Sequence, residues 1–215
     1  MKHRKKEKKV NFSPGTIKRL SLYLRKLKKI HNDDINIISS NTITRLLNVT
    51  SDQFRKDLSY FGEFGKRGVG YNVALLLREI ENILGINQEW KIALVGTGKL
   101  GSALLGFEGF SKLNLKITCG FDNQKDKIGN RIGGVKINDI KDLSKIVKKQ
   151  NIKIAIIATP PEVAQDVARQ LVKIGIKGIL NFAPVSLNVS KNIVVSNVDM
   201  ATELENLIFF VKRRL

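Results

Sequence analysis

The segment that most constrains the fold is a glycine-rich turn, Gly96-Thr97-Gly98-Lys99-Leu100-Gly101, which directly follows an apolar run. A GxGxxG sequence between a strand and a helix is the fingerprint of a dinucleotide-binding βαβ unit. The first glycine permits the tight turn, the second lets the backbone approach a pyrophosphate, and the third lets the helix pack close to the strand. We therefore assign all six residues of the turn to a cofactor site.

An acidic residue at the end of the next predicted strand indicates which nucleotide this turn binds. Asp122 closes the apolar run at residues 115–121. A carboxylate at this place accepts hydrogen bonds from the adenosine ribose and repels a 2′-phosphate, so it favours NAD(H) over NADP(H). The alternative is that Asp122 only begins the turn that follows the strand.

From residue 90 onward, short apolar runs alternate with amphipathic segments. Strands are predicted at residues 92–95, 115–121, 152–158, 178–182 and 193–196, and helices from residue 100 and over residues 161–174. This alternation is typical of a parallel sheet with crossover helices, a Rossmann-like α/β domain. A final helix over residues 201–214 has one apolar face, formed by Leu204, Leu207, Ile208 and Val211 and widened by Phe209 and Phe210.

The N-terminal part predicts a different architecture. Ser13 is expected to cap a first helix that begins at Pro14. A short second helix is expected over residues 41–47, and a third follows Thr50, where Gln53 is expected to complete a capping box. A glycine-punctuated hairpin comes next. Three helices followed by such a hairpin indicate a winged helix-turn-helix.

Basic side chains concentrate in this N-terminal part. Residues 1–84 hold 18 basic and 8 acidic side chains, against 20 and 11 in residues 85–215. A polyanionic partner such as nucleic acid explains the excess, but a genome biased toward Lys, Ile and Asn also raises basicity, so charge alone does not decide between them. Together with the winged helix-turn-helix, it leads us to expect that double-stranded DNA binds here. The candidate contacts are Ser51, Gln53, Arg55 and Lys56 on the third helix, with Lys66 and Arg67 on the hairpin. The alternative is an ordinary solvated face, which the shared basicity of helix, hairpin and N-terminal arm disfavours.

The nucleotide-binding part lacks what a dehydrogenase needs. Both histidines, His3 and His31, lie in the N-terminal part, and no segment remains for a substrate-binding domain. The single cysteine, Cys119, excludes an intramolecular disulfide and a CxxC motif. We therefore expect no catalytic residues, no metal site and no enzyme activity. Without a signal peptide or a long apolar stretch, a cytoplasmic location with no membrane partner is expected.

Several longer motifs occur in order along the chain: RKDLSYFG at residues 55–62, FGKRGVGY at 64–71, LVGTGKLGSAL at 94–104, GILNFAP at 178–184 and NVD at 197–199. In these motifs the chain resembles the redox-sensing repressors of the Rex family. The resemblance implies a homodimer whose last helix is exchanged between subunits. It also implies that NADH releases DNA, whereas NAD+ permits repression of genes for anaerobic and fermentative metabolism. At the carboxyl ends of the strands, the residues expected toward the nicotinamide are Thr159, Pro160, Asn181, Phe182 and Ala183.

Two charged residues, Arg25 and Asp199, match an inter-subunit ion pair that the resemblance implies for coupling cofactor state to DNA-binding geometry. As bare residues they would more often be surface charges that contribute little. A tyrosine that partners this aspartate in some members of the family is Phe107 here, and phenylalanine cannot donate that hydrogen bond. Lys99 likewise replaces an asparagine that is common in the glycine turn.

The sequence thus predicts three segments: a winged helix-turn-helix domain with a basic arm (residues 1–84), a Rossmann NAD(H)-binding domain (residues 85–199) and a dimerisation helix (residues 200–215). The predicted function is an NADH-responsive repressor. One rival is a small Rossmann NAD-dependent oxidoreductase, or a nucleotide- or CoA-binding module. The other is a DNA-binding protein whose nucleotide fold serves only as a dimerisation scaffold.

Overall fold

The structure is a computed structural model that describes residues 12–45, 47–66 and 68–214. The chain forms two compact units, Met1–Gln88 and Glu89–Leu215. We call them unit 1 and unit 2. The division predicted after residue 84 falls at the last residue of the helix that ends unit 1.

The described part of unit 1 contains α1 Pro14–Asn32, β1 Ile37–Ile38, α2 Ser40–Thr44, α3 Ser51–Ser59, β2 Gly65–Lys66, β3 Gly70–Asn72 and α4 Val73–Leu84. The three strands form a small antiparallel sheet with strand order β1-β3-β2. The predicted winged helix-turn-helix is confirmed, with β2 and β3 forming the wing. The second helix is shorter than predicted, since it ends at Thr44.

The N-caps of α1 and α3 lie where the sequence predicts them. Ser13 accepts a hydrogen bond from Thr16 N, and Thr50 Oγ1 accepts one from Gln53 N at 3.1 Å. The capping box at Thr50 was a wrong prediction. The Gln53 side chain turns toward Asp57 instead of back to Thr50 N, and its amide donates a charge-assisted hydrogen bond to Asp57 Oδ1 at 2.8 Å.

Unit 2 is a seven-stranded sheet with strand order β10-β9-β8-β4-β5-β7-β6. Its elements are β4 Trp90–Val95, α5 Lys99–Leu105, β5 Leu115–Asp122, β6 Arg131–Ile132, β7 Val135–Asp139, α6 Leu143–Lys149, β8 Ile154–Ile157, α7 Pro161–Lys173, β9 Gly178–Asn181, β10 Val194–Asn197 and α8 Met200–Lys212. Neighbouring strands are parallel except for the β6–β7 hairpin at one edge. The Rossmann-like α/β fold is therefore confirmed, and the all-parallel sheet is corrected by this antiparallel edge.

The sheet is covered on both faces, as alternation along β4 makes clear. Ile92 and Leu94 pack in one apolar cluster with Leu105 of α5, whereas Ala93 and Val95 pack in another with residues of α6 and α7. Successive side chains of a strand point to opposite faces, so each face of the sheet has its own core. Helix α8 differs from these helices because it buries none of its residues.

Candidate functional site

The glycine turn between β4 and α5 has the geometry of the dinucleotide fingerprint. Gly96 has φ +93°, and a Cβ there would lie 2.6 Å from Ala158 O. A Cβ on Gly101 would overlap Gly96 O, so α5 packs against the turn at a distance that only glycine allows. A Cβ on Gly98 would meet nothing within 4 Å, which leaves open space in front of this part of the backbone. The surroundings of Gly96 and Gly101 thus agree with the tight turn and the close packing expected of them, whereas the approach of Gly98 to a pyrophosphate stays a prediction.

Asp122 joins the end of β5 to the glycine turn. Its Oδ2 accepts hydrogen bonds from Thr97 N at 2.8 Å and Thr97 Oγ1 at 2.6 Å. Its Oδ1 accepts from Asn123 N at 2.8 Å and Gln124 N at 3.0 Å. Burial raises the pKa of Asp122, but the hydrogen bonds from Thr97 and Gln124 and the Lys127 charge outweigh it and hold the pKa below its ordinary value. The carboxylate therefore begins a turn, as the alternative interpretation had it, and also ties that turn to the glycine loop.

A cavity of about 450 Å³ opens beside this carboxylate at the carboxyl ends of β4, β5 and β8. The predicted cofactor residues that line it are Gly96, Gly98, Asp122, Thr159 and Pro160. The buried Thr159 Oγ1 has no hydrogen-bond partner among the described residues. A buried hydroxyl without a partner is costly, so a polar ligand group at this position would fit the site.

Seven predicted cofactor residues are not in the cavity wall. Thr97 is buried beneath it, and Lys99, Leu100 and Gly101 lie in the first turn of α5. Asn181 is fully buried, and its side chain hydrogen-bonds to Ala183 N, Ala183 O, Val185 O and Asn197 Oδ1. It therefore shapes the loop after β9 that also carries Phe182 and Ala183. Their expected contact with a nicotinamide stays a prediction.

Sequence reasoning missed the far side of the cavity. Asn123, Gln124 and Lys127, from the loop after β5, line the cavity, and so do the apolar Ile140, Val163 and Val167. Lys127 Nζ lies 3.6 Å from Asp122 Oδ2. The available signal was the position of these residues just after a strand that ends in the fingerprint aspartate, where a nucleotide-binding sheet places its ligand.

In unit 1 the structure brings together Arg55 of α3 and Lys66 of the wing, which line one groove of about 650 Å³ with Ser39, Ser40 and Tyr71. Arg55 Nη1 donates to Ser40 Oγ at 2.7 Å, and Nη2 pairs with Asp52. These contacts hold the guanidinium at the mouth of the groove. Lys56 is exposed on α3 outside the groove.

Three other predicted DNA contacts have different positions. Ser51 Oγ donates to Asn41 Oδ1, which joins α3 to α2. Gln53 is half-buried and points its amide at Asp57. Arg67 lies outside the described residues. The role of all six residues in DNA binding stays a prediction.

A buried carboxylate that sequence reasoning missed fixes α3 to α1. Asp57 is fully buried and accepts from Arg19 Nε at 2.6 Å and Arg19 Nη2 at 2.7 Å. Tyr23 Oη and the Gln53 amide donate to it at 2.8 Å each. Burial raises the pKa of Asp57, but hydrogen bonds from Arg19, Tyr23 and Gln53 outweigh it and leave the pKa below its ordinary value.

The predicted switch residues are all exposed. Arg25 lies on α1, and Asp199 is the N-cap of α8, where it accepts from Ala201 N, Thr202 N and Thr202 Oγ1. Phe107 stacks edge-on against Phe110, with ring centroids 5.0 Å apart, in an open groove of about 720 Å³ that is separate from the nucleotide cavity. Arg25 and Asp199 belong to different units, and their pairing stays a prediction.

The chemistry of the remaining side chains is limited. Cys119 is a buried free thiol, and burial raises its pKa to about 11. Within residues 12–45, 47–66 and 68–214, His, Cys, Asp and Glu side chains form no group of three or more that could hold a metal ion. In the same residues no helix is long and apolar enough to cross a bilayer.

Comparison with known proteins relates both units to described families. The family model "CoA binding domain" matches residues 87–185, and "Putative DNA-binding protein N-terminus" matches residues 12–59. A protein of Carboxydothermus hydrogenoformans called redox-sensing transcriptional repressor Rex is 48% identical and covers 93% of this chain and 96% of its own length. The protein of the same name from Chloroflexus aggregans is 42% identical over 92% of this chain.

Solved structures extend the relationship to the whole described fold. RSP in complex with β-NAD+ and operator DNA is 31% identical, covers 95% of this chain and 94% of its own, and has a TM-score of 0.90. RSP with β-NADH has a TM-score of 0.84 at 30% identity. The relatives that match over most of the sequence are named as transcriptional repressors, which are not enzymes. The chain belongs to the Rex family of redox-sensing transcriptional repressors.

Proposed function

We propose that this protein represses transcription by binding operator DNA through unit 1 and releases it when NADH occupies unit 2. The observation that carries the proposal is the cavity beside the glycine turn, with its unpartnered Thr159 hydroxyl. The relative RSP is known in complex with β-NADH, and with β-NAD+ and operator DNA. NADH and NAD+ act here as effectors, and the redox chemistry belongs to the metabolism that interconverts them.

Different residues of the cavity contact different parts of the cofactor. The backbone of Gly96 to Gly101 faces the pyrophosphate, because Gly98 leaves open space and no side chain caps the first turn of α5. The apolar Ile140 and Val163 enclose the adenine, and Asp122 lies beside its ribose. Thr159 and Pro160 lead toward the nicotinamide, together with the loop that Asn181 holds.

The DNA-binding surface is α3 with the wing. Arg55 and Lys66 line a shared groove, and Lys56 extends the positive surface along α3. Arg55 or Lys56 in the major groove would donate to guanine edges, whereas Lys66 and Arg67 would neutralise phosphates. Ser51 and Gln53 contact DNA only if they exchange their present partners for it.

A homodimer completes the repressor. Helix α8 exposes Leu207, Ile208 and Phe210 to 58, 63 and 61%. A continuous apolar face of this kind is usually buried in an interface, and a second copy that exchanges the helix would bury it. Two subunits match the two halves of a palindromic operator. The protein then acts in the cytoplasm, where it meets both DNA and the NADH pool.

Coupling between the two sites is assigned to Arg25 of one subunit and Asp199 of the other. An ion pair formed in one dimer arrangement and broken in the other gives each effector a differential affinity, which is what allostery requires. Phe107 stands where some members of the family have a tyrosine that hydrogen-bonds to this aspartate. Phenylalanine cannot donate this hydrogen bond, so the switch of this chain has one polar contact fewer.

The test is the binding of full-length protein to a palindromic operator selected from random DNA in the presence of NAD+. Fluorescence anisotropy is measured with NAD+ and then with increasing NADH. We expect NADH to weaken operator binding, whereas equal affinities with both nucleotides would refute the proposal. The match to the CoA-binding model favours one second candidate, a CoA-binding module. Calorimetric binding of CoA without binding of NADH would support that candidate instead.

A further inference from the structure

The carboxylate of Asp122 has little acceptor capacity left for a ligand. A carboxylate offers about four lone-pair sites, two on each oxygen. In this chain Thr97 supplies two donors to Oδ2, and the backbone of Asn123 and Gln124 supplies two to Oδ1. A ribose hydroxyl beside Asp122 must displace one of these donors or bind to a neighbouring group.

That neighbouring group is Lys127. Its ammonium lies 3.6 Å from Asp122 Oδ2, which is ion-pair distance and too long for a good hydrogen bond. The side chain is 26% exposed and lines the same cavity. Among the described residues, no side-chain or backbone atom accepts a hydrogen bond from Lys127 Nζ, so its N–H donors are available to a ligand.

Among the described residues of the cavity wall, Lys127 is the cationic side chain. Among the described residues that line the wall, the charged side chains are Asp122, Lys127 and Asp166. Asp166 pairs with Arg169 on the exposed side of α7 at 2.8 Å. At the ribose end of the cavity, the Asp122 carboxylate is therefore already surrounded by hydrogen-bond donors, whereas the Lys127 ammonium has N–H donors available for a ligand.

We propose that Lys127 is a specificity-determining residue that binds the adenosine ribose edge and narrows the preference for NADH over NADPH. Asp122 repels a 2′-phosphate, and the ammonium beside it offsets part of this repulsion. NADH remains the preferred ligand, and NADPH binds more tightly than an uncompensated aspartate would allow. This inference rests on the proposed binding of NADH.

The experiment compares Lys127→Gln with Lys125→Gln, a matched control at an exposed position of the same loop. Binding of NADH and NADPH to wild type and both variants is measured by calorimetry at two salt concentrations. We expect Lys127→Gln to lower NADPH affinity about tenfold more than NADH affinity, the size of one partly screened charge near a phosphate. The extra salt dependence of NADPH binding should disappear with it, whereas Lys125→Gln should leave the ratio at the wild-type value.

The outcomes separate the two proposals. If wild type binds no NADH, the proposed function is refuted. If wild type binds NADH but Lys127→Gln leaves the NADH to NADPH ratio unchanged, or moves it no more than Lys125→Gln does, Lys127 has no part in specificity. Undetectable NADPH binding to wild type would also overturn the inference, because Lys127 would then offset nothing.

Discussion

At the scale of single residues, two carboxylates, Asp57 and Asp122, are held inside the fold by hydrogen-bond donors. Each is nearly or fully buried, and each receives at least four hydrogen bonds. Their pKa values in the folded chain lie below those of the unfolded chain. Each therefore stabilises the fold above an unfolded-state pKa of about 3.9, and this contribution is lost as the pH falls through the folded-state pKa.

Replacing Asp57 by asparagine should destabilise unit 1. Asparagine keeps the shape but leaves Arg19 without its ionic partner, and breaking a buried pair costs about 3–5 kcal/mol. Hydrogen exchange in α1 and α3 reports the free energy of unfolding of this unit. Asp52→Asn is the control, because Asp52 is exposed and pairs only at the surface. The difference between wild type and Asp57→Asn should shrink as the pH falls below about 4, because Asp57 of the unfolded chain takes up a proton there while the folded chain still holds it ionised. Equal protection in both variants would contradict the prediction.

Two glycines of the turn are expected to serve different purposes: Gly101 is needed for the stability of the fold, and Gly98 for the binding of NADH. Gly101→Ala forces a Cβ into Gly96 O, so we expect unit 2 to lose about 1–3 kcal/mol or more of stability. Gly98→Ala places its Cβ in open space, so stability should stay the same while NADH affinity falls at least about tenfold. Urea unfolding followed by Trp90, the single tryptophan and a residue of unit 2, measures the first effect. Calorimetry measures the second. Destabilisation by Gly98→Ala would show that the space in front of the turn is not free.

At the scale of elements, the sequence predicts what local chemistry decides. The caps at Ser13 and Thr50 and the glycine turn are short-range signals, and the structure confirms them. The second half of the capping box failed because Gln53 found a partner in Asp57. The burial of Asp57 in turn depends on Arg19, which lies 38 residues away and is joined to it only by tertiary packing.

The β6–β7 edge escaped prediction for a related reason. Strand β6 has two residues, and the whole hairpin is pinned by pairing of Arg131 with Lys136 and of Ile132 with Val135. Segments this short have no measurable periodicity, and Gly133-Gly134 alone marks only a turn. In the site, the same limit applies to Lys127: a single lysine in a loop carries no local pattern, and only the fold sets it beside Asp122.

Asp199 has one observed role and one proposed role, which one substitution can separate. It caps α8 and is proposed to act in the switch, so Asp199→Ala should retain the fold of the chain but remove both contributions. Asp199→Asn keeps an oxygen for Ala201 N and Thr202 N, removes the charge, and replaces the oxygen that accepts from Thr202 Oγ1 by an amide nitrogen. We expect it to preserve the helix, seen by circular dichroism, and to raise the NADH concentration that releases operator DNA about three- to tenfold. An unchanged release curve for Asp199→Asn would remove Asp199 from the switch.

At the scale of the whole molecule, the prominent feature is an apolar helix with nothing against it. The large hydrophobic residues of α8 are 48 to 63% exposed, whereas every other long helix buries at least three residues. Helix α8 thus gives a single chain a continuous exposed apolar face of a kind that is uncommon on monomeric proteins. This exposure agrees with the proposed homodimer, in which a second copy covers the helix.

Placing charge on that face should separate the subunits. The double substitution Leu207→Asp and Ile208→Asp is expected to give a monomer in sedimentation equilibrium that still binds NADH. Its binding to a palindromic operator should fall to that of a single half-site. Glu205→Lys changes the charge of α8 without burying an ion at the proposed interface, so it serves as the control. A double variant that remains a dimer would mean that another surface joins the subunits.

The burial of Cys119 protects its thiol from direct oxidation. Peroxide and other oxidants attack thiolates, and a sheltered thiol with a pKa near 11 has almost no thiolate at neutral pH. With no second cysteine in the chain, no internal disulfide can lock a conformation. The protein would register oxidative conditions only after they have changed the nucleotide pool. Its signal then reverses with the nucleotide pool, because Cys119 keeps no covalent record of the oxidant.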